Sequence, residues 1–207
     1  MKIYINDASD CEIFKEDLAE FRDSLYIPLF PIEDEREPFD NIISRVKNKT
    51  LPETRIILEK DNGRVIGGIV TDYLTEDIAQ PIYLVVMEEY RRKGVGRDLF
   101  ESAVKDYGNV FIEIDNPETV SANNSGMDPA KRKEMYEKWG FKQVPIKYVQ
   151  PPLSENGNYE WNLLLMHRAN ITKKTVKKFL DVFYDGLSAS DSPELERMKE
   201  EISCAAF

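Results

Sequence analysis

The stretch from Ile82 to Tyr107 constrains this chain more than any other. It begins as an apolar run, Ile82–Met87, and continues through Glu88-Glu89-Tyr90-Arg91-Arg92-Lys93-Gly94-Val95-Gly96-Arg97. Leu99, Phe100, Ala103, Val104 and Tyr107 then recur on one helical face. A strand, a basic turn with two glycines and a helix are expected in immediate succession. Glycines let such a turn gather several backbone N–H groups with no Cβ atoms in the way. The helix start adds unpaired donors and the positive end of its dipole. Together with Arg91, Arg92, Lys93 and Arg97, these features suit a pyrophosphate. Two familiar phosphate motifs are absent: no Gly-Lys-Ser/Thr closes the turn, and Leu99 stands where a dinucleotide fingerprint needs glycine or alanine. The bland alternative is a plain strand–turn–helix link with a solvated basic face.

That positive charge is local. The 207 residues carry 28 Lys and Arg against 38 Asp and Glu, a net charge of −10, which argues against a nucleic-acid partner. A hydrophobic share of 42% is enough for a sizeable core, so the chain reads as one folded domain with an appendage. Cys11 and Cys204 lie near opposite ends without CxxC spacing, so neither a metal site nor a disulfide framework is expected. No segment approaches the roughly 20 apolar residues that cross a bilayer. The start, MKIYINDASD, turns acidic too early for a signal peptide, and a cytoplasmic location without a membrane partner is expected. With His167 as its single histidine and no GxSxG elbow, the chain offers neither HExxH zinc chemistry nor a serine triad in its usual setting. The ending Cys204-Ala205-Ala206-Phe207 fits a prenylation box, but Glu200 and Glu201 stand where a polybasic run would be, and coincidence is the better reading.

Elsewhere the patterning is regular. Lys2–Ile5 is a strand candidate, and Phe14, Leu18, Phe21 and Leu25 mark an amphipathic helix that the prolines at 28 and 31 stop. A second helix carries Ile42, Ile43 and Val46. Arg55–Glu59 and Val65–Tyr73 read as strands joined by Asp61-Asn62-Gly63, a strong hairpin signal. Gly67-Gly68 inside the second of them marks a bulge or a close approach of backbone to ligand. Val110–Ile114 is a further strand. Pro129 opens a helix through Met135, Tyr136 and Trp139 that Gly140 stops. Phe141–Val149 and Trp161–Met166 read as strands. Val176, Phe179, Leu180, Phe183 and Leu187 form an amphipathic helix, and Ser192-Pro193-Glu194 begins a last one.

Two motifs in this order resemble the GNAT (Gcn5-related N-acetyltransferase) superfamily. Arg91-x-x-Gly94-x-Gly96, preceded by Leu84-Val85-Val86 and Tyr90, is similar to that family's signature, and Met135-Tyr136-Glu137-Lys138-Trp139-Gly140-Phe141 is similar to its second conserved segment. Phe30-Pro31…Glu35-Arg36, Arg132…Tyr136 and Tyr148-x-Gln150-Pro151 narrow the likeness to a little-characterised subgroup. The resemblance implies an α+β fold, a central mixed and mostly antiparallel twisted sheet flanked by helices, with a helical C-terminal tail. It places the acetyltransferase domain at 1–166 and the extension at 167–207. It further implies that acetyl-CoA lies in a V-shaped opening between the strand ending at Met87 and that at Val110–Ile114. Pantetheine would run along Leu84, Val85 and Val86, and the amides from Arg91, Arg92 and Lys93 through Gly94, Val95 and Gly96 to Arg97 would hold the pyrophosphate.

By the same likeness the reaction is direct acetyl transfer to a primary amine on a small molecule or peptide, without a metal, and Tyr136 matches the tyrosine that protonates the departing thiolate. Some relatives place a catalytic glutamate eleven positions before the signature arginine, where this chain has Gln80. Glu113, on the opposite face of its strand from Ile112 and Ile114, is a candidate base; alternatively it is solvated or paired with an arginine. Glu76 and Asp77 are lesser candidates. The loop Glu33-Asp34-Glu35-Arg36-Glu37 would sit near the acceptor opening, where its four acids could select a cationic amine or simply be solvated, and Glu33, Glu35 and Arg36 are its substrate-binding candidates. Arg132 could bind acceptor or coenzyme, or form a surface ion pair. A non-catalytic coenzyme-A-binding module is the competing functional reading. The apolar face of the first tail helix must be buried on its own domain or across a homodimer interface.

Overall fold

Asp61-Asn62-Gly63 does close a hairpin. Asn62 (φ 47°) and Gly63 (φ 82°) are both left-handed, the two-residue turn whose twist matches that of its strands, here β2 (Glu53–Asp61) and β3 (Arg64–Tyr73). The computed structural model describes residues 1–31, 36–49, 51–120, 127–153, 157–168 and 171–206, and the chain divides into two compact units, Met1–Tyr107 and Gly108–Phe207.

In the first unit, β1 (Lys2–Ile5), β2, β3 and β4 (Ile78–Val86) lie side by side in chain order, each antiparallel to the next. The helical run after β1 consists of α1 (Ala8–Ile13), α2 (Lys15–Phe21), a π-helical turn Arg22–Tyr26 and α3 (Ile27–Leu29), the last holding Pro28 in its first turn. Next comes α4 (Phe39–Lys47), and α5 (Val95–Val104) closes the unit. Leu18, Phe21, Leu25, Ile42 and Val46 are buried, as the spacing of apolar residues requires. β3 is buried along nearly its whole length, with α2 packed on it and α5 packed on it too.

Gly67 and Gly68 each serve one face of that strand. An added Cβ on Gly67 would meet Val85 O at 2.9 Å and Leu99 Cδ1 of α5 at 3.3 Å, whereas on Gly68 it would meet Phe21 Cε2 at 2.5 Å. The close approach is made by the protein's own side chains and backbone. A register shift opposite Glu59 and Lys60 lies beside Gly67, so the expected bulge is present as well.

In the second unit, β5 (Asn109–Asp115), β7 (Leu163–Arg168) and β6 (Lys142–Gln143) pair antiparallel in that order, β7 in the middle. The long strand expected over Phe141–Val149 shrinks to two residues. Val144 still donates to Leu165 O, but Pro145 has no N–H to continue the ladder. The chain runs on irregularly to an isolated bridge, Gln150 with Glu160. Two further helices follow, α7 (Lys173–Gly186), capped by Thr172, and α8 (Pro193–Cys204), capped by Ser192. Val176, Phe179, Leu180 and Tyr184 are buried within the chain, and Phe179 stacks on Phe111 of β5 with centroids 4.2 Å apart. The apolar face of α7 is thus covered without a second copy. The architecture is α+β with mostly antiparallel pairing, as expected. Among the described residues no helix is long and apolar enough to cross a membrane, and no cluster of three metal-ligating side chains occurs.

Candidate functional site

The basic turn is built as its sequence implies. After Val86 the chain makes a single 3-10 turn, Glu88–Tyr90, pinned to the hairpin by Tyr90 Oη donating to Asp61 Oδ2 at 2.8 Å. Arg92 (φ 61°) and Gly94 (φ 88°) are both left-handed, and Gly94 is the N-cap of α5. An added Cβ there would meet nothing within 4 Å, so the turn opens outward at that point. No side chain caps α5, which leaves the first amides of a ten-residue helix to other acceptors. Arg91, Arg92, Lys93 and Arg97 are exposed around it. Lys93 lies over the Tyr90 ring, 5.2 Å from its centroid, and Arg91 Nε donates to Val86 O at 3.1 Å.

Met87 N donates to Ile66 O, so the neighbouring pair Gly67–Val86 is of the non-hydrogen-bonded kind, and the N–H and C=O of Val86 point away from β3. Val85 is buried, while Leu84 and Val86 are half-buried. A depression of about 540 Å³ also lies beside the start of α5, and its walls mix the acids Glu59, Asp61 and Asp98 with Lys60 and Lys93.

The second unit holds the other candidates. Its helix α6 (Pro129–Lys138) starts at Asp128, whose side chain accepts from Lys131 N, and ends in a complete Schellman motif. Gly140, left-handed at φ 89°, donates to Glu137 O, and Phe141 N donates to Tyr136 O at 3.0 Å. The hydrophobic contact that accompanies such an ending is Phe141 edge-on to Tyr136, centroids 5.5 Å apart, with Trp139 edge-on at 5.3 Å. The Tyr-x-x-x-Gly-Phe spacing is therefore a helix-ending device that fixes the tyrosine ring. Burial pushes the Tyr136 phenol up to about 12, with Arg132 one turn earlier pulling the other way. Tyr136 is protonated at neutral pH.

Glu113 does not fall cleanly under either expected alternative. It is half-buried, and its Oε1 accepts from Tyr148 Oη at 2.5 Å and from Gln150 Nε2 at 2.9 Å. Burial, together with the Glu113 charge and this hydrogen bond, raises the Tyr148 phenol well above its usual value. Neither donor had been given a role from sequence; the signal was the Tyr-x-Gln spacing, which puts two side chains on one side of an extended segment. Asp115, on the same strand face as Glu113, takes the ion pair with Arg132 at 2.8 Å. Arg132 is thus held by a carboxylate of its own chain.

The remaining candidates are scattered. Arg36 Nη1 donates to Phe30 O at 2.8 Å, and Glu33 and Glu35 lie outside the described residues. Glu76 and Asp77 sit on an exposed turn. Gln80 is buried on β4 opposite Asp72 of β3. Near it, Arg45 of α4 pairs with both Glu37 and Asp72 and donates to Thr54 Oγ1.

Comparison with known proteins agrees with this geometry. Residues 52–143, which span the hairpin, the basic turn, α5, β5 and α6, match the acetyltransferase (GNAT) domain model. A putative GNAT-family acetyltransferase from Bacteroides thetaiotaomicron has a similar structure, with a TM-score of 0.64 at 15% identity over 92% of this chain and 98% of that one. An aminoglycoside 6'-acetyltransferase type Ii superposes with a TM-score of 0.52 at 19% identity, over 82% of this chain and 97% of that one. A GNAT acetyltransferase from Elizabethkingia anophelis with acetyl-CoA bound gives 0.48 at 18% identity, over 70% and 90%. No curated protein sequence matches. The motif order, the uncapped helix start behind a basic turn and the family model converge: residues 52–143 are similar to the acetyltransferase (GNAT) domain, and the fold is that of a GNAT-family acetyltransferase.

Proposed function

We propose that this protein is an acetyl-CoA-dependent N-acetyltransferase that moves the acetyl group directly to a primary amine. The observation that carries the reading is the turn Arg91–Gly96. Its left-handed Gly94 opens onto free space, its helix start has no side-chain cap, and four cations surround it in a chain of net charge −10. These residues fit a pyrophosphate, and the outward-facing backbone of Val86 fits an amide-bearing pantetheine arm.

The chemistry then needs a base and an acid. An alkylamine is mostly ammonium at neutral pH, so it must lose one proton before its lone pair can attack the thioester carbon. Glu113 is the group assigned to take that proton, becoming a neutral carboxylic acid. The C–N bond forms, the C–S bond breaks, and the thiolate takes a proton from the Tyr136 phenol. The second proton, shed by the new amide nitrogen, restores the phenol, and Glu113 returns its own to solvent. Tyr136 suits the acid's role because burial keeps it protonated.

Titration calorimetry of acetyl-CoA into the parent protein and a Gly94→Glu variant tests the cofactor assignment. The introduced carboxylate should fill the cradle and repel phosphate, so micromolar binding by the parent and none by a folded variant is expected. An amine panel with thiol detection then tests transfer. A folded parent that binds no acetyl-CoA would overturn the reading.

A further inference from the structure

Two acids lie on the same face of β5, and their settings differ. Asp115 is paired with the Arg132 guanidinium, so a proton arriving there would break an ion pair. Tyr148 and Gln150, which donate to Glu113 Oε1, are a phenol and a carboxamide, both neutral donors that orient the carboxylate. Both come from one extended segment, and that segment is itself anchored. Tyr184 Oη of α7 donates to Val149 O at 2.6 Å, and the Gln150–Glu160 bridge is closed in both directions at 2.9 and 3.0 Å.

We propose that Tyr148 and Gln150 are positioning residues that hold Glu113 ionised and fixed in orientation as the proton acceptor of the transfer reaction. This rests on the assignment of Glu113 as the base, and it adds which residues make it one. Tyr148 remains a donor throughout the working pH range, because burial and the adjacent Glu113 charge both oppose loss of its proton. Other titratable groups in this region include Asp115 on the same strand as Glu113, Arg132 of α6, which pairs with Asp115, and Tyr184 of α7. Tyr184 is raised by burial first and then by surrounding charges, Glu113 among them. β7 places apolar Leu165 opposite Glu113.

The test uses the full chain and three variants, Glu113→Gln, Tyr148→Phe and Gln150→Leu, each checked for an unchanged melting profile. Two readouts are taken. One is the carbon-13 NMR titration of the Glu113 carboxyl in glutamate-labelled protein, which needs no acceptor. The other is the pH profile of acetyl transfer to an amine found in the panel. Removing one donor from a carboxylate disfavours its ionised form, so in Tyr148→Phe the NMR midpoint should move up by about one pH unit. The acidic limb of kcat should move with it by the same amount, while KM for acetyl-CoA stays put. Gln150→Leu should shift both in the same direction. Glu113→Gln should lose activity about 100-fold or more. If Glu113→Gln keeps full activity, the base assignment fails and this inference falls with it. If Glu113→Gln is inactive while Tyr148→Phe and Gln150→Leu leave the acidic limb in place, the base assignment stands and the positioning role is overturned.

Discussion

Replacing Gly68 with alanine isolates what this glycine does. The new methyl would stand 2.5 Å from Phe21 Cε2, 2.8 Å from Leu58 Cδ2 and 3.0 Å from Phe21 Cδ2. Carbon atoms rest at about 3.5–4.0 Å, so the Phe21 ring would have to withdraw by about 1 Å. It has nowhere to go, being fully buried with Tyr26 and Phe39 rings at 6.3 and 6.0 Å. Overpacking of this kind costs about 1–3 kcal/mol, and the loss of glycine's freedom in the unfolded chain returns about 0.4–1 kcal/mol. A net loss of about 1–2 kcal/mol should lower Tm by about 2–8 °C in a chain of this size. Gly108→Ala is the control, since a Cβ there meets nothing within 4 Å and the backbone is not left-handed. It should melt at the parent's temperature or slightly above. Calorimetric melting of the three proteins decides. A Gly68→Ala variant that melts within a degree of the parent, yet binds acetyl-CoA more weakly, would refute the packing argument and restore the idea that this backbone approaches a ligand.

Other consequences are equally open to measurement. Tyr136→Phe should lower kcat about 10²–10⁴-fold with little change in KM, in steady-state assays with the panel amine. Because the phenol's pKa lies at about 12, the parent should show no loss of activity from Tyr136 ionisation below about pH 10. Burial raises the carboxyls of Asp72 and Glu37 against the opposing pull of Arg45. The folded state therefore holds protons that the unfolded chain has released, and this contribution to stability is complete below about pH 4 and lost as pH rises through the raised folded values. Asp72→Asn should flatten that part of the pH dependence, and urea midpoints between pH 4 and 8 should show no change if the reasoning is wrong. Thr172→Ala removes the side chain that accepts from Thr175 N at 3.2 Å and should cost about 1 kcal/mol, read as a lower urea midpoint.

Local chemistry was legible in the sequence wherever a few neighbouring residues settled it. Asn62-Gly63 required its hairpin, Gly94 its turn, and Ser192-Pro193 its helix start. Tyr136 could be placed because the helix-ending device that fixes it lies within six residues, from Tyr136 to Phe141. Glu113 was visible as a misfit acid in an apolar strand, but its partners were not, since Tyr148 is 35 residues away and Gln150 is 37. Local periodicity carries no information about such a meeting. The strand expected over Phe141–Val149 failed for a related reason: apolar character ensured that Phe141, Val144, Tyr148 and Val149 were buried, but Pro145 decided that most of them would be buried outside a ladder. The paired glycines were noticed correctly, yet which faces they serve depends on where Phe21 and Leu99 arrive in three dimensions.

The pairing of β5 with β7 also sets an order of assembly. Val110 meets Arg168 and Asp115 meets Leu163, so this ladder joins residues about half a hundred positions apart, as β1–β2 does in the first unit, where β2–β3 and β3–β4 join consecutive strands. As the chain leaves the ribosome, Met1–Tyr107 holds the β1–β2, β2–β3 and β3–β4 pairings within itself and can collapse while the rest is still being made. The Glu113 setting waits much longer, because the segment carrying its two donors is tied down by the Gln150–Glu160 bridge and by Tyr184, far along α7. A growing chain thus acquires the proposed cofactor cradle well before the surroundings of Glu113, the proposed proton acceptor. A product ending shortly after β7 is expected to retain coenzyme affinity and lack turnover.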